Sequence, residues 1–255
     1  MTKIVGVVPA RMASSRFPGK PLHPILGRPM LEHVFCRARL FPDWSALVVA
    51  TCDAEIAAFA QSKAWAVVMT ADTHTRALDR VAEAAGKLGV ALEPNDIVVN
   101  VQGDEPMVHP DMIAASIRPL LEDPTANCTL LAMEIVEEKV YRNPDALKVV
   151  HDLAGNILYT SRSPIPHCKV FSPAVGARRI YGIFAFRWHF LQTFTRIAES
   201  PLEIAESCDS NRIFDNGYRQ KIAPFPYRPS YSVDNPSDTA VVEAHLGNDP
   251  LWGTY

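Results

Sequence analysis

Several protein classes are excluded by what this chain lacks. With 25 Lys and Arg against 28 Asp and Glu, its formal net charge is -3. That leaves no cationic excess to neutralise a nucleic-acid backbone. The five cysteines, Cys36, Cys52, Cys128, Cys168 and Cys208, are odd in number and form neither a CxxC pair nor a zinc-type His/Cys cluster. A reducing cytoplasm is the compartment this usage fits. His109, His151, His167, His189 and His245 show no HxxxH or HxH spacing, which argues against a histidine metal site. No run approaches the ~20 apolar residues of a membrane helix. The apolar stretch after Met1 is too short for a signal sequence and leads into a charged segment, so the chain is read as starting at its first strand. Repeats, low-complexity tracts and a Walker-type Gly-x4-Gly-Lys-Ser/Thr loop are also missing. Nucleic-acid binding, membrane insertion and a disulfide scaffold are therefore not expected.

What is present fits an α/β enzyme. At 255 residues and 48% hydrophobic residues the chain can bury a sizeable core. Ile4 to Val8 reads as a buried strand stopped by Pro9, and Met30 to Leu40 as a helix. Further strands are expected over 47–50, 67–69 and 96–101, alternating with helices over 56–63 and 79–88. Such alternation predicts a parallel sheet covered on both faces. Phe35, Phe41, Trp44 and Trp65 fall where aromatics pack helices onto a sheet. From about Asn127 the pattern changes to longer, antiparallel-type strands at 129–135, 148–151 and 180–186. A helix over 201–216, a strand at 220–223 and a last helix opening near Asp234 or Asn235 complete the reading.

Two loops at carboxyl ends of strands carry candidate chemistry, since ligands of open α/β sheets bind there. The first, Pro9-Ala-Arg-Met-Ala-Ser-Ser-Arg-Phe-Pro-Gly-Lys-Pro-Leu22, gathers Arg11, Arg16 and Lys20 within ten residues. It suits a polyphosphate, or is simply a solvated basic surface. The second, Val101-Gln-Gly-Asp-Glu-Pro106, ends a strand with an acidic pair. Asp104 would either bind a hard cation on a triphosphate or merely cap the next helix. Asp234 offers a second carboxylate from far along the sequence. Two carboxylates and a basic loop meet the needs of nucleotidyl transfer, which rests on positioning and charge neutralisation.

Together these loops resemble the CMP-Kdo synthetase family, the 3-deoxy-manno-octulosonate (Kdo) cytidylyltransferases. Further matches run in order through Asn143-Pro-Asp-Ala-Leu-Lys-Val-Val150, Tyr159-Thr-Ser-Arg-Ser-Pro-Ile-Pro166, Leu202-Glu-Ile-Ala-Glu206 and Val233-Asp-Asn-Pro-Ser-Asp238. The resemblance implies a mostly parallel Rossmann-like nucleotidyltransferase sheet with a smaller antiparallel dimerisation extension. It also implies a single domain over residues 1–255, with an inserted dimerisation and sugar-side subdomain at about 127–200. By the same resemblance, Arg11, Arg16 and Lys20 grip the triphosphate of CTP, and Pro9, Ala10 and Arg11 with Gln102 read the cytosine. Asp104 and Asp234 hold Mg2+, and Lys20, Arg11 and Asp104 act in catalysis. Arg76, Arg162, Glu206 and Asp209 belong to the acceptor side, where a guanidinium pairs with a carboxylate. Arg162 is alternatively a surface ion pair. A homodimer acting on CTP and an acidic sugar in lipopolysaccharide synthesis is implied.

The match breaks on the acceptor side. Where the family has His-x-Ser-Gly-Thr-Glu/Asp-Arg, this chain reads His74-Thr-Arg-Ala-Leu-Asp-Arg80. Aligned on Gly182, Ile180 replaces a histidine and Phe184 a tyrosine, and Ser210 stands where glutamine is usual. Fewer hydrogen-bonding groups and one added cation predict an altered acceptor, with Kdo used at least ~10-fold less efficiently than the true one. The competing expectations are a nucleotidyltransferase for another NTP or acidic acceptor, and a non-catalytic nucleotide-binding paralogue. Intact Asp104 and Asp234 argue against the latter.

Overall fold

A computed structural model describes residues 2–14 and 16–255; Ser15 of the basic loop lies outside the described residues. The chain divides into two compact units, Met1–Ile113 with Pro229–Tyr255, and Ala114–Arg228. The second is wider than the 127–200 segment expected from the sequence. The boundary falls inside helix Pro110–Glu122, which the sequence reading did not foresee.

In the first unit, strands Ile97–Val101, Ile4–Pro9, Ala46–Thr51 and Val67–Met69 lie side by side in that order, all parallel. Every residue of Ile4–Pro9 is buried, as expected of an inner parallel strand covered on both faces. In register, Val7 stands between Val48 and Asn100. Helices Met30–Arg39, Ala54–Ser62 and Ala77–Lys87 connect the strands. The last buries Leu78, Val81, Ala82, Ala84 and Ala85, a stripe at helical spacing. Phe35 stacks on Trp65 with ring centroids 4.3 Å apart, and Phe41 meets Trp44 edge-on at 4.9 Å. Fully buried Arg37 donates from Nε to the Val108 carbonyl at 2.8 Å and pairs through Nη1 with Asp249 at 2.9 Å. The C-terminal segment is thereby tied to residues over 200 positions earlier.

In the second unit, Cys128–Glu134 pairs antiparallel with Arg178–Arg187 and parallel with Lys221–Phe225. Lys148–His151 forms an antiparallel pair with Ile157–Ser161. Ile180 and Phe184 pack against Leu130, Ala132, Val149, Ile157 and Ile222, so apolar side chains at these two positions have a packing role. The helix expected over 201–216 is in fact two, Pro201–Glu206 and Ser210–Asp215. Ser207, at φ 49°, adopts the left-handed conformation and ends the first. Its N-terminus is fixed by a capping box between Ser200 and Glu203. The α/β class read from the sequence is thus the one found, with parallel pairing concentrated in the first unit and antiparallel pairing in the second. Among the described residues no helix is long and apolar enough to cross a membrane.

Candidate active site

The basic loop leaves the end of the first strand and is shaped by three local constraints. Phe17 is buried in a cluster with Ile25, Met30, Met107, Val233 and Val242, which pins the middle of the loop. The Met12 carbonyl accepts from the Ser14 and Gly19 amides at 2.9 and 3.0 Å, closing the loop on itself. Gly19 then takes φ 76°, a left-handed turn that costs glycine little, and delivers Lys20 at the start of a short 3-10 helix.

Opposite stands the loop after Val101. Gly103 is buried against the end of the first strand so closely that a Cβ there would sit 2.4 Å from the Pro9 carbonyl oxygen. Only glycine allows the two strand ends to approach this far. Asp104 follows and faces the cavity, whereas Glu105 turns inward, buried, and accepts from the Ser232 hydroxyl at 2.8 Å. The acidic pair seen in the sequence therefore splits into one site carboxylate and one structural one. The Val233 amide donates to the Asp104 carbonyl at 3.0 Å, bringing the distant Asp234 to the same place. Asp238 in turn holds the Asp234 and Asn235 amides at 2.8 and 2.7 Å.

These elements enclose a cavity that brings together Pro9, Ala10, Arg11, Arg16, Lys20, Gln102, Asp104 and Asp234, every nucleotide- and metal-side residue expected from the sequence. Their charges are paired across it. Lys20 Nζ lies 2.9 Å from Asp104 Oδ2 and donates to the Val233 carbonyl at 2.7 Å. Arg16 Nη2 lies 2.7 Å from Asp234 Oδ1. Hard divalent cations take one or two carboxylates and complete their shell with water and phosphate oxygens. Asp104 and Asp234, beside cations suited to phosphate, fit that donor set. Among the described residues no group of three or more metal-type side chains gathers to form an all-protein cage.

The loop before helix Ala77–Lys87 lines the same cavity through His74, Thr75, Arg76 and Ala77, with Arg80 one turn further on. Of these the sequence singled out only Arg76 as a site residue. Arg80 is 3% exposed and bonds through Nη1 to Thr70 Oγ1 and the Ala71 carbonyl. His74 Nε2 lies 2.5 Å from Glu83 Oε2, which also accepts from the Ala71 amide at 2.9 Å. Burial alone would raise the Glu83 carboxyl. Hydrogen bonds from Lys87, Ala71 and His74 outweigh it and hold the pKa at about 2.

Arg162, Glu206 and Asp209 belong to the second unit. The Glu206 carboxylate accepts from Ser161 Oγ at 2.7 Å, the Arg162 amide at 2.8 Å and Tyr159 Oη at 2.9 Å. Arg162 donates from Nε to the Glu206 carbonyl and from Nη1 to the Pro144 carbonyl, both at 2.9 Å. Its guanidinium is thus fixed in place, 4.0 Å from Asp145. Beneath it, fully buried Lys148 donates to the Asn143 and Arg162 carbonyls. Burial first, then the nearby Arg162 charge, lowers the Lys148 ammonium to about 8. Asp209 stands at the N-cap of Ser210–Asp215.

A basic, backbone-rich loop after the first strand of a parallel sheet, facing carboxylates from two later loops, defines the nucleotidyltransferase class. Comparison with known proteins narrows this. A sequence model described as cytidylyltransferase matches residues 5–222. The 3-deoxy-manno-octulosonate cytidylyltransferase of Syntrophotalea carbinolica is 41% identical over 95% of this chain and 98% of its own. That of Syntrophus aciditrophicus is 40% identical over 95% and 96%. A solved structure of CMP:2-keto-3-deoxy-manno-octonic acid synthetase complexed with CTP superposes with a TM-score of 0.86 at 33% identity, covering 97% of this chain and 99% of that one. A 4-diphosphocytidyl-2C-methyl-D-erythritol synthase shares the fold at a TM-score of 0.64 and 14% identity. The chain belongs to the cytidylyltransferase family, among its 3-deoxy-manno-octulosonate members.

Proposed function

We propose that this enzyme transfers CMP from CTP to 3-deoxy-manno-octulosonate or a closely related 2-keto-3-deoxy sugar acid, with release of pyrophosphate. The observation that carries this reading is the single cavity in which Arg16 and Lys20 face Asp234 and Asp104. In it, Arg11, Arg16 and Lys20 bind the triphosphate, and the backbone of Pro9, Ala10 and Arg11 with Gln102 selects the base. Asp104 and Asp234 would hold Mg2+, which would supply neutralisation of phosphate charge and a lowered pKa for the attacking hydroxyl. Lys20 and Arg11 stabilise charge on the departing pyrophosphate, so most of the acceleration comes from placement and electrostatics. Arg76, on the wall of that cavity, serves the acceptor's carboxylate. In the second unit the residues for the acceptor are Arg162, Glu206 and Asp209. Glu206, with its three donors, would hold Arg162 in position. The working form is a homodimer joined through the second unit, in the cytoplasm.

Arg76 on the cavity wall favours a second reading of the acceptor, one carrying an additional anionic group. The test is pyrophosphate release with CTP, Mg2+ and a panel of Kdo, amino-substituted octulosonates, sialic-type acids and smaller anions. Turnover with an octulosonate at ordinary enzymatic efficiency supports the proposal, and Kdo at least ~10-fold below another acid supports the second reading. Release from another NTP in preference to CTP would overturn both.

A further inference from the structure

The proposed function uses the basic loop but leaves open what holds it in shape. Asp53 occupies the N-cap of helix Ala54–Ser62, in extended conformation at φ -99° and ψ 124°, and its main-chain oxygen accepts from the Ala57 amide. An aspartate at this position ordinarily turns its carboxylate onto the amides of the first helical turn. Here the side chain makes no such bond. Its Oδ2 instead accepts from the Met12 amide at 2.9 Å, across 41 residues of sequence. The Asp53 backbone is steadied in turn by its own amide, which donates to the buried Thr51 hydroxyl at 3.1 Å.

The Met12 residue so held is the hub of the loop. Its carbonyl accepts from both the Ser14 and the Gly19 amide. Arg11 precedes it directly, and Lys20 follows Gly19. The carboxylate of Asp53 therefore fixes a residue whose carbonyl holds both the Ser14 and the Gly19 amide of the loop, and a hydrogen bond to an ionised acceptor is strong enough to matter for geometry.

We propose that Asp53 is a positioning residue for the nucleotide, acting through the Met12 amide to preorganise Arg11 and Lys20 for the triphosphate. This rests on the reading of the loop as the CTP site. Asp53 gives up the stability of a conventional helix cap and supports the loop instead, so the two roles separate by mutation. In Asp53→Ser the hydroxyl is a good cap for the helix but ends short of Met12. Asp53→Asn keeps the length and an acceptor oxygen.

The experiment measures steady-state pyrophosphate release against CTP and against the acceptor, with thermal melting of each variant. Asp53→Ser should melt at or above the wild-type temperature, raise KM for CTP about 10-fold, and leave KM for the acceptor unchanged. Asp53→Asn should recover most of the CTP affinity. The positioning role is overturned if Asp53→Ser binds CTP as the wild type does, if both KM values rise together, or if the loss follows a fall in melting temperature. An active wild type with an unaffected Asp53→Ser overturns this inference alone. A wild type that releases no pyrophosphate from CTP overturns the functional reading and the inference with it.

Discussion

Arg16 and Asp234, 218 residues apart in sequence, lie 2.7 Å from one another across the cavity, and Lys20 makes the equivalent contact with Asp104. Each carboxylate assigned to the metal is thus held by a cation assigned to the triphosphate. On the proposed function, nucleotide binding would be an exchange of partners, in which the cations move to phosphate while the carboxylates take the metal. Because Arg16 is half exposed, its share of that exchange is modest.

Opposite effects on the two nucleotide forms should follow from breaking the pair. Asp234→Asn and Asp104→Asn should each lower turnover by orders of magnitude with the fold intact. Without metal, in chelator, Asp234→Asn should bind CTP about 2- to 5-fold more tightly than the wild type, since the ion pair between Arg16 and the Asp234 carboxylate is lost. Calorimetry with and without Mg2+ reads both effects, and near-normal turnover in either variant would remove that carboxylate from the metal site.

Lys20→Ala should weaken CTP binding more than Arg16→Ala, because the Lys20 side chain is 12% exposed and that of Arg16 50%. A less solvated charge interacts more strongly with phosphate. Acceptor binding should change little in either. Unchanged CTP affinity, measured by calorimetry, would count against the triphosphate assignment.

Acid should loosen the loop that carries His74. With its pKa lowered from 4.5 to about 2 in the folded state, Glu83 binds fewer protons folded than unfolded between those values. Its contribution is complete above about 4.5 and is lost as pH falls through about 2. Glu83→Gln should therefore show a shallower loss of urea stability than the wild type between about pH 5 and pH 3. Identical acid limbs in the two proteins would remove Glu83 as a source.

Glu203 and Arg212 form a buried bidentate pair, at 2.7 and 2.6 Å, with side chains 0% and 3% exposed. Arg212 also lies over the Phe194 ring, 4.4 Å from its centroid. Breaking one partner strands the other in a low-dielectric interior, so Glu203→Ala should cost about 3 to 5 kcal/mol in denaturant unfolding. A cost below about 1 kcal/mol would mean the pair is not isolated from water as the burial indicates.

How far the sequence carried depends on the range of the interactions involved. Strand Val67–Met69 and strand Lys148–His151 were read to the residue, because apolar β-branched runs between turn signals report locally. The helix Pro110–Glu122 was missed, with Pro119 lying inside it. Strand Ile157–Ser161 was missed too, since Leu158 and Tyr159 blur its alternation with side chains that are not buried. The single helix expected over 201–216 hid a break that depends on the backbone angle of one serine. At the site, the basic loop and Asp104 were legible from motif and position. Asp53 was not, because the bond that gives it meaning spans 41 residues and the aspartate otherwise reads as an ordinary helix cap. The apolar residues at 180 and 184 were read only as lost polar contacts, whereas they also fill a cluster assembled from four other strands.

The division of the chain has a consequence for biosynthesis. The first unit is interrupted by Ala114–Arg228 and resumes only at Pro229. Asp104 emerges from the ribosome before that interruption and Asp234 after it. A nascent chain halted anywhere between them carries the basic loop and one carboxylate, with Arg16 lacking the Asp234 carboxylate and Phe17 lacking the Val233 and Val242 side chains against which it packs. The nucleotide site is therefore a late product of synthesis, closed by the last tenth of the polypeptide, and a ribosome-bound chain has a stretch of time in which its basic loop faces only one of its two carboxylates.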